Sequence, residues 1–336
     1  MTTTPQTNRT LQEIAQEMRG YNDFVICGHT SPDGDCLGSQ LALMHALRAM
    51  GKRAHCVYAT EATADLGLRF LPGLDDVICA RDFHGACGAF VSVDVQIKKR
   101  IGDAMCVATH APVRISIDHH AEDECYADLN YVDPDAAATC ILIWELIGLL
   151  GATPTPDMAT CCYTGLMTDT GRFQFQNTDS VCFAAAGEMI AAGADPAVIA
   201  AHVYQSRRLE SLLLEEVTIR HAEFDAERGL AMSYLSAEDF ASTGAIPDDT
   251  ETLVDTLRSV EFVRVACMLR EQDGTVRGSL RAKDATDVSV VARNFGGGGH
   301  RAAAGFTVEN ARIADCAEDV RTQLLAALAA HDETVR

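Results

Sequence analysis

The residues best equipped for chemistry stand together early in the chain. The stretch "VICGHTSPDGDCLGS", residues 25–39, sets His29, Asp33 and Asp35 within seven positions, directly after an apolar run. Aspartate and histidine are also ordinary loop residues, and "SPDGD" is good turn chemistry, so this stretch alone does not separate a site from a turn. Three further places do. Asp94 ends "FVSVD", Asp118, His119 and His120 follow "VRISI", and Asp169 follows the helical pattern "MATCCYTGLMT" and opens "DTGRF". Any one of them reads equally well as a helix cap or a hydrogen-bonded surface histidine. Jointly that reading fails, because gathering Asp33, Asp35, Asp94 and Asp169 without cations raises their pKa values and costs stability, whereas two divalent ions bring matching positive charge. Carboxylates with one or two imidazoles and no thiolate favour Mn²⁺ or Mg²⁺ over zinc. Two such ions about 3.5–4 Å apart hold a bridging hydroxide and stabilise the leaving oxygen of an in-line displacement at phosphorus, so the expected chemistry is phosphoester or phosphoanhydride hydrolysis.

These groups are far apart in sequence, and the elements between them must bring them together. From about residue 11 to 190, β-like runs ("FVICG", "RAHCVYA", "GAFVSVDV", "VRISIDHH") alternate with helical patterns ("LGSQLALMHALRAMG", "AATCILIWELIGLLG", "PDMATCCYTGLMTD"). Such alternation predicts βαβ units on a parallel sheet, with Pro156 suited to a helix start. His29, Asp94 and Asp118 then stand at the C-terminal ends of strands, where an open parallel sheet binds its ligands. The stretch "DPAVIAAHVYQSRRLESLLLEEVTIRHAEF" reads as helical and is expected to connect two domains. Beyond it, "SVEFVRVACMLREQDGTVRGSLRAK" predicts two strands about an Asp273-Gly274 turn, followed by a helix at "DVSVVARNF", the run "GGGGHRAAAGF" and a closing helix near 312–330.

Composition bounds the function. The 336 residues exceed an ordinary single domain, and 48% hydrophobic against 22% charged is a folding composition. The net charge of −21 excludes a protein that coats long duplexes by phosphate neutralisation. Residues 251–310 nevertheless hold eight Lys or Arg against eight Asp or Glu, while the rest holds nineteen against forty, so the C-terminal part is the natural place to meet an anion. Four glycines before His300 expose backbone N–H groups to a phosphate or ribose, or simply make a turn. The thirteen cysteines are odd in number, show no Cys-x-x-Cys pair, and several lie in apolar runs, which reads as buried free thiol. No apolar stretch approaches the roughly 18–20 residues of a membrane span, and "MTTTPQTNRT" reads as a loose leader, so a cytoplasmic address without a membrane partner is expected.

Taken together, "HTSPDGD", "VDV", "IDHH" and "MTDTGRF" resemble the four motifs of the DHH phosphoesterase superfamily, and "GSLRAK" with "FGGGGHRAAAG" resembles its DHHA1 C-terminal domain. The resemblance runs from about residue 12 to 330. It implies an α/β protein: a parallel-sheet DHH domain over 11–190, a helical linker over 191–228, and a smaller α/β DHHA1 domain over 229–332. It also implies that His29, Asp33 and Asp94 hold one metal, that Asp35, Asp94, His119 and Asp169 hold the other, and that Asp94 bridges them. Asp118 would support the histidines and His120 would lie near the scissile phosphate. Arg281, Gly297, Gly298, Gly299 and His300 would bind substrate, with Arg281 forking a terminal phosphate, while Arg301 reads as exposed.

Within that superfamily the chain resembles the stand-alone oligoribonucleases, or nanoRNases, which also act on 3′-phosphoadenosine 5′-phosphate. The expectation is a Mn²⁺-dependent hydrolase, with Mg²⁺ as the alternative ion. It would release nucleoside 5′-monophosphates from short RNA and AMP from 3′-phosphoadenosine 5′-phosphate, as a homodimer. Single-strand DNA exonuclease, cyclic or linear dinucleotide phosphodiesterase, and a nucleotide-binding regulator without chemistry are the competing readings.

Overall fold

The computed structural model describes residues 4–61, 64–121, 124–250, 252–272 and 274–335. Met1–Thr3 of the expected leader and Asp273 of the expected turn lie outside the described residues. The chain divides into two compact units, Met1–Ser206 and Arg207–Arg336.

In the first unit the chain passes through α1 (Leu11–Met18), β1 (Asp23–Cys27), α2 (Gly34–Ala49), β2 (Arg53–Tyr58), β3 (Ile78–Cys79), β4 (Ala89–Val93), α3 (Met105–His110), β5 (Arg114–Asp118) and β6 (Leu129–Val132). Helices α4 (Thr139–Leu150), α5 (Pro156–Asp169), α6 (Ser180–Ala191) and α7 (Pro196–Tyr204) complete it. All strand pairs are parallel and the order is β3-β2-β1-β4-β5-β6. The sheet thus grows in opposite directions from β1 and β4, and the C-terminal ends of those two strands flank the switch point where such sheets hold ligands. Both faces are covered over the central strands β1 and β4, which is why these are almost wholly buried and mostly apolar. Phe24 and Ile26 face a core built with α1, α2, α4 and α5, and Val25 and Cys27 face a smaller one with Phe90, Ile101 and Ala108.

Helices α2 and α5 approach closely because glycines line their contact. A Cβ on Gly38 would stand 2.4 Å from the Cys161 carbonyl oxygen, and one on Gly165 would stand 3.0 Å from the Asp35 Cα. That close approach brings the first turn of α2, with Asp35, beside α5. As expected, α5 starts at Pro156, with Thr155 as its cap.

In the second unit α8 (Leu209–Arg220), β7 (Glu223–Asp225), β8 (Leu230–Leu235), α9 (Ala237–Thr243) and α10 (Leu253–Arg258) precede the hairpin β9 (Val265–Gln272) and β10 (Thr275–Ala282). Gly274 turns this hairpin with φ 76°. Helix α11 (Val288–Asn294), β11 (Gly298–His300), β12 (Ala303–Glu309) and α12 (Ile313–Val335) follow. The sheet order is β11-β12-β10-β9-β8-β7, antiparallel except for β8 beside β9. Val276, Leu280, Ala304 and Phe306 face α11 and α12, while Ala231, Ala266 and Met268 on the other face meet α8 and α10. That second face stays open over β10 and β12, whose Arg277, Thr307 and Glu309 are exposed.

The segment read as one helical stretch is interrupted. It breaks after α7, where Arg207 turns to Glu215 (2.7 Å) and Arg208 to Asp249 (2.8 Å), and "HAEF" ends in a strand, β7, because Phe224 pairs with Ala231 of β8. All thirteen cysteines are free thiols. Among the described residues no single helix is long and apolar enough to cross a membrane.

Candidate metal centre

Asp94 lies at the middle of the predicted cluster. It follows β4 at the switch point, is almost fully buried, and takes a left-handed backbone with φ 59°, which aspartate tolerates better than most residues but which still carries strain. Its two carboxylate oxygens face different partners. Oδ2 stands 3.3 Å from Nε2 of His29 after β1, and Oδ1 stands 3.6 Å from Nε2 of His119 and 3.4 Å from Nδ1 of His120 after β5.

On one side, His29 Nε2 also lies 3.7 Å from Asp33 Oδ2. Asp33 is the N-cap of α2: its Oδ1 accepts from the amides of Asp35 (3.1 Å) and Cys36 (3.0 Å), which leaves Oδ2 turned to His29. A cap and a site residue are here the same side chain. On the other side, His119 Nε2 stands 3.5 Å from Asp169 Oδ2 at the end of α5. His119 Nδ1 lies 3.1 Å from the Ala136 carbonyl, so that nitrogen carries a proton and Nε2 is the atom turned to the carboxylates, the one that would be freed to hold a metal. Donor atoms of Asp35, His119 and Asp169 lie within 4.8 Å of one another.

Asp118 plays a different part. Its Oδ1 accepts from the amides of His119 (2.7 Å) and His120 (3.1 Å) and meets His120 Nδ1 at 2.7 Å, fixing both histidines from behind. All eight N-terminal residues singled out in the sequence are therefore brought to one place.

Three contributors were missed. The Asp35 carboxylate accepts from the backbone N–H of Thr139 (2.6 Å) and Cys140 (2.8 Å), the open N-terminus of α4, and the Thr139 hydroxyl donates to Asp94 Oδ1 at 3.0 Å. The signal was a missing one: α4 starts after Ala138, which has no side chain to cap it. The third is Cys36, whose thiol lies near His29 and Asp94. Burial, and then the charges of Asp94 and Asp33, push that thiol well above its ordinary range, so it stays protonated.

The electrostatics of the cluster are uneven. Burial and then the Asp94 charge push Asp35 up to about 7, and burial with the Asp35 charge holds Asp169 well above the carboxylate range. Burial also works to raise Asp94, but the hydrogen bond from His29 and the fields of His120 and His119 outweigh it and hold Asp94 low. Burial opposes charge on the imidazoles as well. Asp33 and Asp94 nevertheless push His29 to about 10, Asp169 and Asp94 push His119 to about 9, and Asp118 with Asp94 raises His120. Without a cation, this cluster holds protons where a divalent metal would hold its ligands. Oxygen donors and two Nε2 atoms turned to common points form a donor set suited to hard divalent ions.

The substrate residues expected in the second unit gather on its open sheet face. Arg281 of β10 and His300 of β11 both pair with Ala303 of the strand between them, so the two bases flank one small residue. The glycine run has mixed causes. A Cβ on Gly297 would lie 2.1 Å from the Gly305 carbonyl, and Gly299 has φ 132° with Ala303 close by, so both are required by backbone packing. Nothing lies within 4 Å of a Cβ on Gly296 or Gly298; Gly296 needs its positive φ of 76°, which leaves Gly298 as the glycine that neither packing nor backbone conformation requires and whose backbone a ligand can approach. Arg301 is exposed and donates to the Ala285 carbonyl at 2.7 Å.

Residues 23–166 match the DHH family, N-terminal domain, and residues 229–330 match the DHHA1 domain. The chain belongs to the DHH family. It is 31% identical over 309 residues to the bifunctional oligoribonuclease and PAP phosphatase NrnA of Thermus thermophilus, covering 90% of this chain and 88% of that protein. It is 27% identical to the protein of the same description from Bacillus subtilis, covering 88% and 92%. The crystal structure of an exopolyphosphatase-related protein from Bacteroides fragilis, 25% identical, superposes with a TM-score of 0.87 over 94% of this chain and 95% of that one. Membership makes this DHH chain a hydrolase of phosphoester bonds with a metal-dependent centre.

Proposed function

We propose that this protein is a dimetal phosphoesterase that hydrolyses short oligoribonucleotides to nucleoside 5′-monophosphates and 3′-phosphoadenosine 5′-phosphate to AMP. One observation carries the reading: Asp94, at the sheet's switch point, turns one oxygen toward His29 and the other toward His119. His29, Asp33 and Asp94 would hold one cation, and Asp35, Asp94, His119 and Asp169 the other. Mn²⁺ is the preferred ion and Mg²⁺ the alternative, because the donors are carboxylate and imidazole. When bound, the ions supply an activated water and a counter-charge for the phosphoryl oxygens.

The chain's own residues supply the rest. Asp118 orients His120 through Nδ1 and, with Asp94, shifts the ring toward its protonated form, from which Nε2 would pass a proton to the leaving oxygen. Arg281 and His300 would grip the terminal phosphate, with the Gly298 backbone against the sugar. The relatives named as oligoribonuclease and PAP phosphatase support this substrate class over the competing readings. A cytoplasmic homodimer belongs to the same reading. Purified protein with Mn²⁺ should hydrolyse di- to pentaribonucleotides and 3′-phosphoadenosine 5′-phosphate; no turnover of either, beside brisk digestion of long single-stranded DNA, would reject it.

A further inference from the structure

The open face of the C-terminal sheet has a second basic end. Strand register places Arg270 of β9 directly opposite Arg277 of β10, and Arg277 opposite Thr307 of β12. Arg277 therefore stands beside a second guanidinium on the same sheet face. Arg270 is fixed in place, with Nη1 donating to the Thr250 hydroxyl (2.5 Å) and Nη2 to the Ser279 hydroxyl (2.7 Å). Arg277 is exposed, and among the described residues it makes no ion pair or hydrogen bond. The two arginines line a cavity of about 320 Å³ whose other walls include Ser279, Thr307, Gly297 and Gly305.

Arg281 lies farther along β10 on the same face, outside the lining of that cavity. Between the two ends the register sets Ser279, Gly305 and Gly298 side by side on three neighbouring strands, a floor of small residues. Arg277 and Arg281 lie four positions apart on one strand, about 13 Å at the usual rise. A floor of that length with positive charge at both ends fits a ligand whose negative charges are spaced along a chain.

We propose that Arg277, backed by Arg270, is a second phosphate subsite that engages an oligonucleotide phosphate remote from the one held at Arg281, and so favours substrates of several nucleotides over the shortest ones. The inference rests on the reading of the protein as a short-oligonucleotide hydrolase and specifies how it senses length. Arg270 is a positioning residue, holding the cavity wall that Arg277 completes.

The test compares the full-length wild-type protein with Arg277→Ala on ribonucleotides of two to five residues. Affinity is read by calorimetry in chelator, and KM and kcat are read with Mn²⁺. A lost charge-assisted phosphate contact should weaken pentanucleotide binding about tenfold and the dinucleotide only about twofold, with a shallower salt dependence for the longer ligand. The effect should fall on KM rather than kcat. Arg228→Ala, which removes one charge from the β7–β8 turn at the opposite edge of the sheet, controls for net charge. An equal loss at every length, no loss at any length, or the same loss in the Arg228 control would overturn the proposal. Because binding is read without cleavage, an inactive wild-type protein would sink the functional reading and leave the subsite result standing.

Discussion

In the N-terminal unit the candidate residues sit at strand ends, helix ends and the loops between them, whereas in the C-terminal unit the basic residues Arg270, Arg277 and Arg281 sit within strands and point from a sheet face. The difference follows from sheet type. A parallel sheet covered on both faces by helices can present side chains only where strands stop, so its charges converge on a point. A mostly antiparallel sheet left open on one side presents every second residue along its strands, so its charges form a row. A point of carboxylates suits a pair of cations, and a row of guanidiniums suits a chain of phosphates.

The sharpest way to break this contrast is to remove the shared carboxylate. Asp94→Ala should lower kcat about a thousandfold or more, since metal-borne catalysis supplies several kcal/mol. Binding of an oligonucleotide to the C-terminal face in chelator should change far less, as calorimetry would show. If both fell together, the two units would not divide the work as described.

A second test attacks the packing that makes the point. Gly38→Ala would press a methyl group against the Cys161 carbonyl and force α2 from α5, costing about 1–3 kcal/mol by denaturant unfolding. Activity should fall by more than the lost stability explains, because Asp35 and Asp169 ride on those two helices.

A third concerns protons. In the metal-free protein His29 and His119, raised from 6.5 to about 10 and about 9, contribute stability that is complete below pH 6.5 and is lost as pH rises through those values. Asp35, raised from 3.8 to about 7, costs stability as pH climbs between those two values, so the signs agree. Metal-free protein should weaken toward alkaline pH, and the rise in Tm given by Mn²⁺ should grow between pH 7 and 9. Calorimetry in buffers of different ionisation heat should find two or more protons released on metal binding at pH 7, from His29 and His119 with a share from Asp35 and Asp169.

The smallest effect separates two neighbours in the glycine run. Gly297→Ala should cost more than about 1 kcal/mol, while Gly298→Ala should keep stability within about 0.5 kcal/mol and raise KM for nucleotide. Equal stability losses would remove Gly298 as the point of ligand approach.

Much of this was legible in the sequence. The buried strands β1, β4 and β5 announce themselves as mostly apolar runs that end at His29, Asp94 and Asp118, because burial on both faces leaves only the small Ser92 and Ser116 as polar interruptions. Less legible were β3, two residues long at the sheet edge, and β6, whose "LNYV" is too short to show a period. The run "LAMSYL" of β8 carries no clear alternation, and β11 hides in the glycine run because its pairing with β12 needs no side chain. The site was readable wherever a residue's type advertised its chemistry. Backbone amides do not, and so the contacts of Thr139 and Cys140 with Asp35 were invisible from their own positions.

Those contacts also change how variants at Asp35 should be interpreted. Helix α4 borrows its lid from a residue 104 positions away, and the lender faces the candidate centre at the same time. An Asp35→Asn protein keeps one acceptor and turns an NH₂ toward the other amide, so the first turn of α4 should fray along with any loss of turnover. Inactivity in such a protein would report a loosened scaffold as much as a missing ligand, and hydrogen exchange at Thr139 and Cys140 would tell the two apart.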